Sequence, residues 1–333
     1  MMMSSNIINF LPNYIKILEN KQTPGYIKCK FIPVTFDKSE SEKELWEKHD
    51  KAFQKIKINE REPEESLLDL KIELASRVFK KCHFCERKCM ADRREKSGNC
   101  KVTKSLVASE FLHFGEEDVL IPSYTIFFSG CTFHCVFCQN WDISQQICGM
   151  YIESSVLSDF IEKRSNQGAK NVNWVGGDPT PNILYILETL KQCNTDIAQI
   201  WNSNMYCSKE TMKLLNGVID LYLTDFKYGN NGCAKRLSKV DNYMKIIQRN
   251  HKLAYCNGDM IIRHLVMPNH VDCCSKLALK WIASNLPNAV VNIMAQYRPE
   301  YHAHDFSDIS RPVEFEEVKN VKEYAEKLGI RVI

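Results

Sequence analysis

The sequence predicts an α/β protein built on a parallel sheet that is covered by helices. From Tyr124 onward, short runs that are almost continuously apolar alternate with stretches of helical periodicity, and this alternation occurs six times. Parallel strands that are buried on both faces have this composition. Right-handed crossovers would wind such a sheet into a barrel or an open sheet. We expect this unit to span residues 106–333, after a helical region over 1–77 and a small cysteine-rich segment over 78–105.

Each predicted strand is followed by a predicted helix. The strands are expected at 124–130, 171–177, 197–203, 219–226, 260–267 and 289–297. The helices are expected at 155–167, 182–193, 209–215, 241–255, 274–285 and 314–328. Upstream, apolar residues recur at helical spacing over 41–59 and 65–80, which predicts two amphipathic helices that pack on the main unit.

Composition narrows the class of protein. The 333 residues include 44 basic and 41 acidic side chains, and a net charge of +3 is too balanced for a protein dedicated to nucleic acid or to a membrane surface. No run approaches the ~18 apolar residues of a membrane span, and the N-terminus does not have the pattern of a signal peptide. We therefore expect a cytoplasmic protein with no membrane partner, for which nucleic acid is an unlikely ligand.

The cysteine count favours metal or catalysis over disulfides. There are 15 cysteines, an odd number, in a chain with no recognisable export signal. Seven of them fall in two tight clusters between Cys82 and Cys138. For each of the other eight, a small buried hydrophobic residue is the default interpretation.

The second cluster along the chain lies in the loop after the first predicted strand. Its sequence is GCTFHCVFCQN, and it places Cys131, Cys135 and Cys138 at a C-x3-C-x2-C spacing. Three thiolates on one short loop can hold three irons of a [4Fe–4S] cube and leave the fourth iron open to a ligand. Zinc prefers four ligands in paired knuckles, and no fourth cysteine or histidine is placed to complete such a set, although His134 lies inside the loop.

This motif resembles that of the radical SAM superfamily. The resemblance implies a partial (β/α)6 radical SAM barrel that binds a [4Fe–4S] cluster and S-adenosylmethionine (SAM), with Phe137 near the adenine. The resemblance extends to a segment after the second predicted strand. This segment is similar to the family's Gly-Gly-Glu-Pro segment, which holds the amino group of SAM. Here the segment reads Gly176, Gly177, Asp178 and Pro179, so that aspartate replaces the usual glutamate.

Later strand ends supply further candidates for SAM binding. Asn202, Ser203 and Asn204 end the third strand, where they suit the ribose or the carboxylate; the alternative is a polar turn. Asp225 and Lys227 resemble residues that lie at the methionine carboxylate in the activating-enzyme branch, and the alternative is a surface pair. The following two candidates come from the fifth and sixth strands. Arg263 resembles that branch's carboxylate-binding arginine, although a structural salt bridge would also explain it, and Gln296 is expected to face the barrel mouth.

A cation inside an apolar strand is costly unless it is paired. We therefore expect Arg263 to have an acidic partner.

Four longer stretches extend the resemblance to a subgroup. TIFFSGCTFHCVFCQNWDIS, LYLTDFKY, IIRHLVMP and IMAQYRP occur in this order and resemble the PflX group, relatives of the pyruvate formate-lyase activating enzyme. The resemblance implies that an external reductant supplies an electron and that SAM is cleaved reductively to a 5′-deoxyadenosyl radical, which abstracts hydrogen from a protein or peptide. A flavodoxin or ferredoxin is the candidate electron donor. The alternatives are a non-catalytic iron–sulfur or zinc module on the same barrel, or radical modification of RNA or a small molecule.

The upstream cysteine cluster has a complete set of four thiols. Its spacing is C-x2-C-x3-C-x10-C, formed by Cys82, Cys85, Cys89 and Cys100. Four neighbouring thiolates suit either a structural zinc ion or a second, fully ligated [4Fe–4S] cluster, and the spacing does not choose between them. Basic residues in the same segment are expected to form a solvated face, or a docking surface for an acidic redox partner: Arg87, Arg93, Arg94 and Lys96.

Overall fold

The computed structural model describes residues 7–54 and 58–333. Eight strands in this part of the chain form one sheet whose spatial order follows the sequence from β1 to β8. The strands are β1 Val107–His113, β2 Ser123–Phe128, β3 Asn171–Gly176, β4 Ala198–Ser203, β5 Leu221–Asp225, β6 Asp259–Leu265, β7 Val290–Met294 and β8 Arg331–Val332. β1 pairs with β2 in antiparallel orientation, and every pair from β2 to β8 is parallel. The sheet is a partially closed barrel whose edges are β1 and β8.

Helices cover the outside of this sheet. They are α1 Pro12–Leu18, α2 Gly25–Phe31, α3 Glu42–Gln54, α4 Leu67–Lys80, α5 Trp141–Ser144, α6 Ser154–Asn166, α7 Ile183–Gln192, α8 Lys209–Leu215, α9 Asn231–Ser238, α10 Tyr243–Asn257, α11 Lys276–Asn285 and α12 Phe315–Lys327. Of the helices in the described residues, none combines the length and apolar character that a membrane span requires.

The six predicted strand-to-helix units are confirmed, and the differences lie around them. β1 was not predicted because only one of its seven residues is buried, so it lacks the continuous apolar run of the parallel strands. α9 was not predicted because its sequence, NGCAKRLS, is short and polar, and it begins on a capping side chain, Asn230, rather than on an apolar stripe. Residues 55–57 of the predicted helix 41–59 lie outside the described residues, and the observed helix α3 ends at Gln54.

The amphipathic helix α4 shows why the upstream region folds onto the barrel. Ser66 and Asp69 form a capping box that satisfies the free N–H groups at its start. Its apolar stripe, including Leu70 and Leu74, is fully buried in the main core. Burial of this stripe, and not helix propensity, supplies most of the helix's stability.

Two buried carboxylates attach α1 and α2 to the end of the barrel where the strands begin. Asp259 accepts a hydrogen bond from the backbone N–H of Tyr14 at 2.7 Å, and the Tyr14 hydroxyl accepts one from Asn171 at 2.8 Å. Asp220 accepts from the backbone N–H of Gly25 at 2.8 Å. A Cβ on Gly25 would lie 2.5 Å from a backbone oxygen, so only glycine permits this approach. α1 thereby covers the end of the barrel at which the parallel strands begin.

Candidate active site

A cavity of about 490 Å³ lies within the barrel and reaches the carboxyl ends of its parallel strands. This volume is in the usual range of ligand pockets, and these strand ends are where such barrels build their sites. Thirteen of the residues singled out from the sequence line the cavity: Cys131, Cys135, Cys138, Phe137, Gly176, Gly177, Asn202, Ser203, Asn204, Asp225, Lys227, Arg263 and Gln296. Asp178 and Pro179 are not among its lining residues.

The three thiols of the cluster loop are held by neighbouring polar groups. The backbone N–H of Phe133 donates to the Cys131 sulfur at 3.3 Å. The hydroxyls of Ser238 and Ser144 lie 2.9 Å from the Cys135 sulfur and 3.1 Å from the Cys138 sulfur. Burial raises the pKa of the Cys135 thiol to about 12, so this thiol is protonated until a metal displaces the proton.

The glycine pair after β3 is required by the close approach of two chain segments. Gly176 has a φ of 129°, and a Cβ there would lie 2.2 Å from the backbone nitrogen of Phe128. A Cβ on Gly177 would lie 2.2 Å from the carbonyl oxygen of Gly130, immediately before the cluster loop. The pair therefore lets the end of β3 lie directly against this loop, with its backbone in the cavity wall.

Asp178 lies behind the cavity wall and connects three elements. Its two oxygens accept hydrogen bonds from the hydroxyls of Thr132 and Ser203, both at 2.8 Å. Burial raises the pKa of Asp178 to about 6, although both hydroxyl contacts oppose the shift. Pro179 follows it at the start of a short helical turn over Thr180–Asn182. In this arrangement Asp178 holds the cluster loop against the end of β4.

Asn204 continues the polar strand end formed by Asn202 and Ser203. It lines the cavity beside them, and its amide donates to the Thr132 hydroxyl at 2.9 Å. The same amide nitrogen lies 3.8 Å from the Cys131 sulfur. Asn204 therefore connects this strand end to the cluster loop.

Asp225 and Lys227 form an ion pair at the cavity wall, with 2.8 Å between the Lys227 ammonium and a carboxylate oxygen. Burial lowers the pKa of Lys227, but attraction to Asp225 and to the cluster-loop sulfurs outweighs it, and the net shift is upward. Lys227 therefore carries its positive charge next to Cys135 and Cys138.

Arg263 has the acidic partner that its position in a strand requires. It donates to Glu117 through Nε at 2.9 Å and through Nη2 at 2.6 Å, and it also pairs with Glu116. Asn292 of β7 donates to the same Glu117 carboxylate at 2.8 Å. The two glutamates come from the loop between β1 and β2, which enters from the opposite end of the barrel. No pattern in the sequence pointed to these two glutamates, because they lie outside every recognised strand end.

The mouth of the cavity is bordered by the cluster loop and the chain after β7. The Gln139 side chain donates to the Gln296 carbonyl at 3.0 Å, and Gln296 is exposed there as expected. Two residues beyond Gln139 in the sequence, the ring of Trp141 stacks on that of Tyr301 with 5.6 Å between their centroids. An aromatic pair therefore follows directly on the chain segment that lines the cavity.

The four-cysteine segment lies directly against the cluster loop. Arg87 donates to the Thr132 carbonyl at 2.7 Å, and Asn99 lies 2.6 Å from the His134 ring. A Cβ on Gly130, which has a φ of 85°, would lie 2.7 Å from the Cys100 carbonyl oxygen. The two cysteine clusters are therefore adjacent in the fold.

The expectation that Arg93 belongs to a solvated basic face is wrong. Its side chain is buried with 1% of its surface exposed, and one of its nitrogens lies 3.7 Å from the Cys82 sulfur. Among residues 7–54 and 58–333, no acceptor is within hydrogen-bond distance of its Nε and Nη2. A buried guanidinium with unmet donors fits a site whose thiolates carry negative charge when they bind a metal.

Comparison with known proteins agrees with the geometry of the cavity. The sequence model described as the radical SAM superfamily matches residues 125–282. The chain belongs to the radical SAM superfamily. It is also 46% identical over 339 residues to an uncharacterized protein of Methanocaldococcus jannaschii, and the alignment covers 97% of this chain and 99% of that protein.

Solved structures show limited similarity to this radical SAM chain, at low identity. One is a domain of pyruvate-formate lyase-activating enzyme from Bacteroides vulgatus, with a TM-score of 0.41 and 19% identity over 50% of this chain and 98% of that chain. A second is Streptococcus suis SuiB bound to its precursor peptide SuiA, with a TM-score of 0.43 and 15% identity over 59% and 43%. A third is HydG, a maturase of the [FeFe]-hydrogenase, with a TM-score of 0.45 and 14% identity over 97% and 67%.

Superfamily membership implies a [4Fe–4S] cluster and SAM, and the residues present fit both. Among the described residues, the cluster-loop sulfurs do not form a group that lies mutually within 4.8 Å, the spacing of ligands around a single ion. A cube holds its thiolates farther apart than one ion does. The cavity beside them supplies polar groups of both charges for an amino acid moiety.

Proposed function

We propose that this protein is a radical SAM enzyme that acts on a protein or peptide, in the manner of glycyl-radical-activating enzymes. The observation that carries the proposal is the placement of Cys131, Cys135 and Cys138 in the wall of a ligand-sized cavity. When bound, the cluster supplies the electron that cleaves SAM to a 5′-deoxyadenosyl radical, and that radical abstracts hydrogen from the substrate.

The chain's own residues bind and orient in this proposal. The backbone of Gly176 and Gly177 forms the surface against which the SAM amino group lies, because Asp178 is buried behind it. Lys227 offers a positive charge to the carboxylate of SAM, and its ion pair with Asp225 fixes the position of the Lys227 ammonium. No side chain is required as a general acid or base, and the buried walls exclude water from the radical.

The contribution of Arg263 is narrower than the sequence implies. Two glutamates already neutralise it, so it provides less free charge for the SAM carboxylate than Lys227 does. The Arg263, Glu116 and Glu117 cluster instead forms a polar inner wall of the cavity. Its role in the proposal is to position groups inside the barrel.

An aromatic pair near the cavity favours a peptide or protein as the substrate. Trp141, two residues beyond the lining residue Gln139, stacks on Tyr301, which is an exposed aromatic residue with 39% of its surface accessible. Aromatic residues of this kind are enriched where proteins recognise one another. The motifs shared with activating enzymes point in the same direction.

The four-cysteine segment is proposed to hold a second metal centre. Its sulfurs, like those of the cluster loop, do not gather around the position of a single ion within the described residues, which favours an auxiliary [4Fe–4S] cluster over zinc. Its contact with the cluster loop would place such a cluster on a path for electrons from a flavodoxin or ferredoxin. A reducing cytoplasmic setting is part of this proposal, because thiolate ligands must stay reduced.

The test is the release of 5′-deoxyadenosine from anaerobically reconstituted protein with SAM and dithionite. We expect release by the wild type and at least a 100-fold reduction in Cys131→Ala, because a cube with two protein ligands is not held. Cys256→Ala, at an exposed cysteine, is the matched control and should equal the wild type.

Two outcomes would count against the proposal. Wild-type turnover by Cys131→Ala would remove the loop from the active site. A reducible cluster with bound SAM but no product, even with candidate peptides added, would favour the non-catalytic iron–sulfur module.

A further inference from the structure

Two neighbouring strand ends bring together four potential metal ligands that play no part in the proposed function. Cys233 lies in α9, after β5, whereas His270, Cys273 and Cys274 lie in and before a single π-helical turn, Val271–Ser275, after β6. One ligand atom from each residue lies within 4.8 Å of all the others. We call these four residues the Cys/His group.

The distances within the Cys/His group match those around a tetrahedral ion. The Nδ1 atom of His270 lies 3.7, 3.3 and 3.6 Å from the sulfurs of Cys233, Cys273 and Cys274. The sulfur of Cys273 lies 4.0 Å from that of Cys233 and 3.8 Å from that of Cys274. Zinc bound at its usual ligand distances separates two sulfurs by about 3.8 Å, and a sulfur from a nitrogen by about 3.6 Å.

Groups around the four ligands favour a bound cation. The other ring nitrogen of His270 lies 3.0 Å from a carboxylate oxygen of Asp308, which is the partner that metal-bound histidines ordinarily have. Donation from Nε2–H to Asp308 leaves Nδ1 free to ligate, and Arg236, which pairs with the same carboxylate, lies 3.4 Å from Nε2. Asn230 donates its amide toward the Cys233 sulfur at 3.2 Å and the Cys274 sulfur at 3.9 Å, as suits thiolates.

The backbone is also built for this approach. A Cβ on Gly229 would lie 2.6 Å from the Cys274 carbonyl oxygen and 2.9 Å from that of Cys273. Glycine therefore lets the chain after β5 lie on the π-helical turn and brings Cys233 to the other ligands. Turns of π-helix are frequent at functional sites because they re-aim side chains.

We propose that Cys233, His270, Cys273 and Cys274 bind one zinc ion as a closed structural site. Three cysteines and one histidine are a complete set for structural zinc and leave no position for a substrate. The compact spacing distinguishes the group from the two upstream cysteine clusters, which do not surround one ion within the described residues.

The site would stabilise the part of the barrel that carries the cluster loop. At the other end of α9, the carbonyls of Leu237 and Ser238 accept hydrogen bonds from Val136 and His134, at 2.9 and 3.1 Å. The Ser238 hydroxyl also contacts Cys135. Zinc at the start of α9 thus fixes a helix whose end holds the loop.

The experiment counts zinc and iron per chain in purified full-length protein. We expect Cys233→Ser and His270→Ala each to contain one zinc fewer per chain than the wild type, with the visible absorption of the iron–sulfur centre retained. His270→Cys offers a fourth thiolate and should keep the zinc, and Cys256→Ala should match the wild type. Because the comparison is a difference of one equivalent, it holds whatever metal the Cys82–Cys100 segment binds.

A second measurement uses the wild type alone, so it does not depend on the folding of a variant. X-ray absorption spectroscopy at the zinc edge should show sulfur ligands at about 2.3 Å from the zinc together with a nitrogen ligand at about 2.0 Å. Equal zinc in the wild type and both ligand variants would overturn the proposal. So would loss of one iron instead of one zinc, or a Cys233–Cys273 disulfide found by mass spectrometry. None of these outcomes bears on SAM cleavage, which is tested separately.

Discussion

The four-cysteine segment and the Cys/His group differ in how the chain prepares a metal site. The first has its ligands within 19 residues of sequence, yet its sulfurs are not gathered around one point within the described residues. The second joins Cys233 to three ligands that begin 37 residues later in the sequence, and the fold places all four at tetrahedral distances. Closeness in sequence and organisation in space are therefore separate properties.

Backbone conformation explains part of this difference. In the four-cysteine segment and just after it, Lys88, Met90 and Lys101 have φ values of 46°, 55° and 63°. Residues other than glycine, asparagine and aspartate adopt this region only when their surroundings hold them there, at roughly 1–3 kcal/mol each. Around the Cys/His group, Cys233, Cys273 and Cys274 lie on helical turns and His270 directly precedes one. From residue 229 to residue 275, Lys239 is the one residue outside those three types with such a φ, of 57°, and it lies at the far end of α9. We infer that the upstream segment depends on its metal for structure more strongly than the Cys/His group does.

The largest expected effect is on local unfolding of the two regions. Cys82→Ser/Cys85→Ser should increase tryptic cleavage within residues 87–96 about 100-fold, because the metal is lost and the strained backbone is released. Cys233→Ser/Cys273→Ser is the matched double variant and should leave that rate within a few-fold of the wild type. Limited proteolysis followed by mass spectrometry measures both. Equal rates in the two variants would show that both regions depend on metal alike.

The next effect concerns the buried cation beside Cys82. Arg93→Leu should weaken metal retention by the four-cysteine segment about 30-fold in competition with a chelator, because charged hydrogen bonds are worth about 2 kcal/mol. Arg94→Leu, at an exposed residue paired with Asp92, is the control. If Arg93→Leu held the metal as tightly as the wild type or more tightly, the positive charge of Arg93 would not stabilise the metal-bound thiolates.

The smallest effect is expected at Asp308. Asp308→Asn should lower the zinc affinity of the Cys/His group about 10-fold, because the partner of a metal-bound histidine tunes its basicity. Asp305→Asn, at an exposed aspartate on the same loop, should have no effect. Chelator competition with zinc as the readout separates the two variants. An unchanged affinity in Asp308→Asn would leave Asp308 with no part in the site.

The sequence also limits what could be known of the candidate active site. Spacing alone identified the cluster loop, and the strands and their ends identified nine further residues that line the cavity. The sequence did not show that Asp178 lies behind the cavity wall, or that Glu116 and Glu117 form ion pairs with Arg263. Those contacts join segments whose separation in sequence carries no periodic signal.

The signal for the Cys/His group was present but incomplete. Cys233 follows one strand and His270 follows the next, and the carboxyl ends of adjacent parallel strands meet at one edge of the sheet. Treating each isolated cysteine as a small hydrophobic residue hid this relation. Cys233 and Cys273 are in fact half-buried, with their sulfurs turned toward the histidine.

The sequence by itself determined the parallel sheet, the order of its six strand-to-helix units and the three-cysteine loop, because hydrophobic periodicity and ligand spacing are local properties. Only the tertiary structure decided the burial of Arg93, the pairing of Arg263 and the assembly of Cys233 with His270. Each of these depends on which strands are neighbours and how closely two backbones approach. Such distances follow from packing of the whole chain, which no short stretch of sequence specifies.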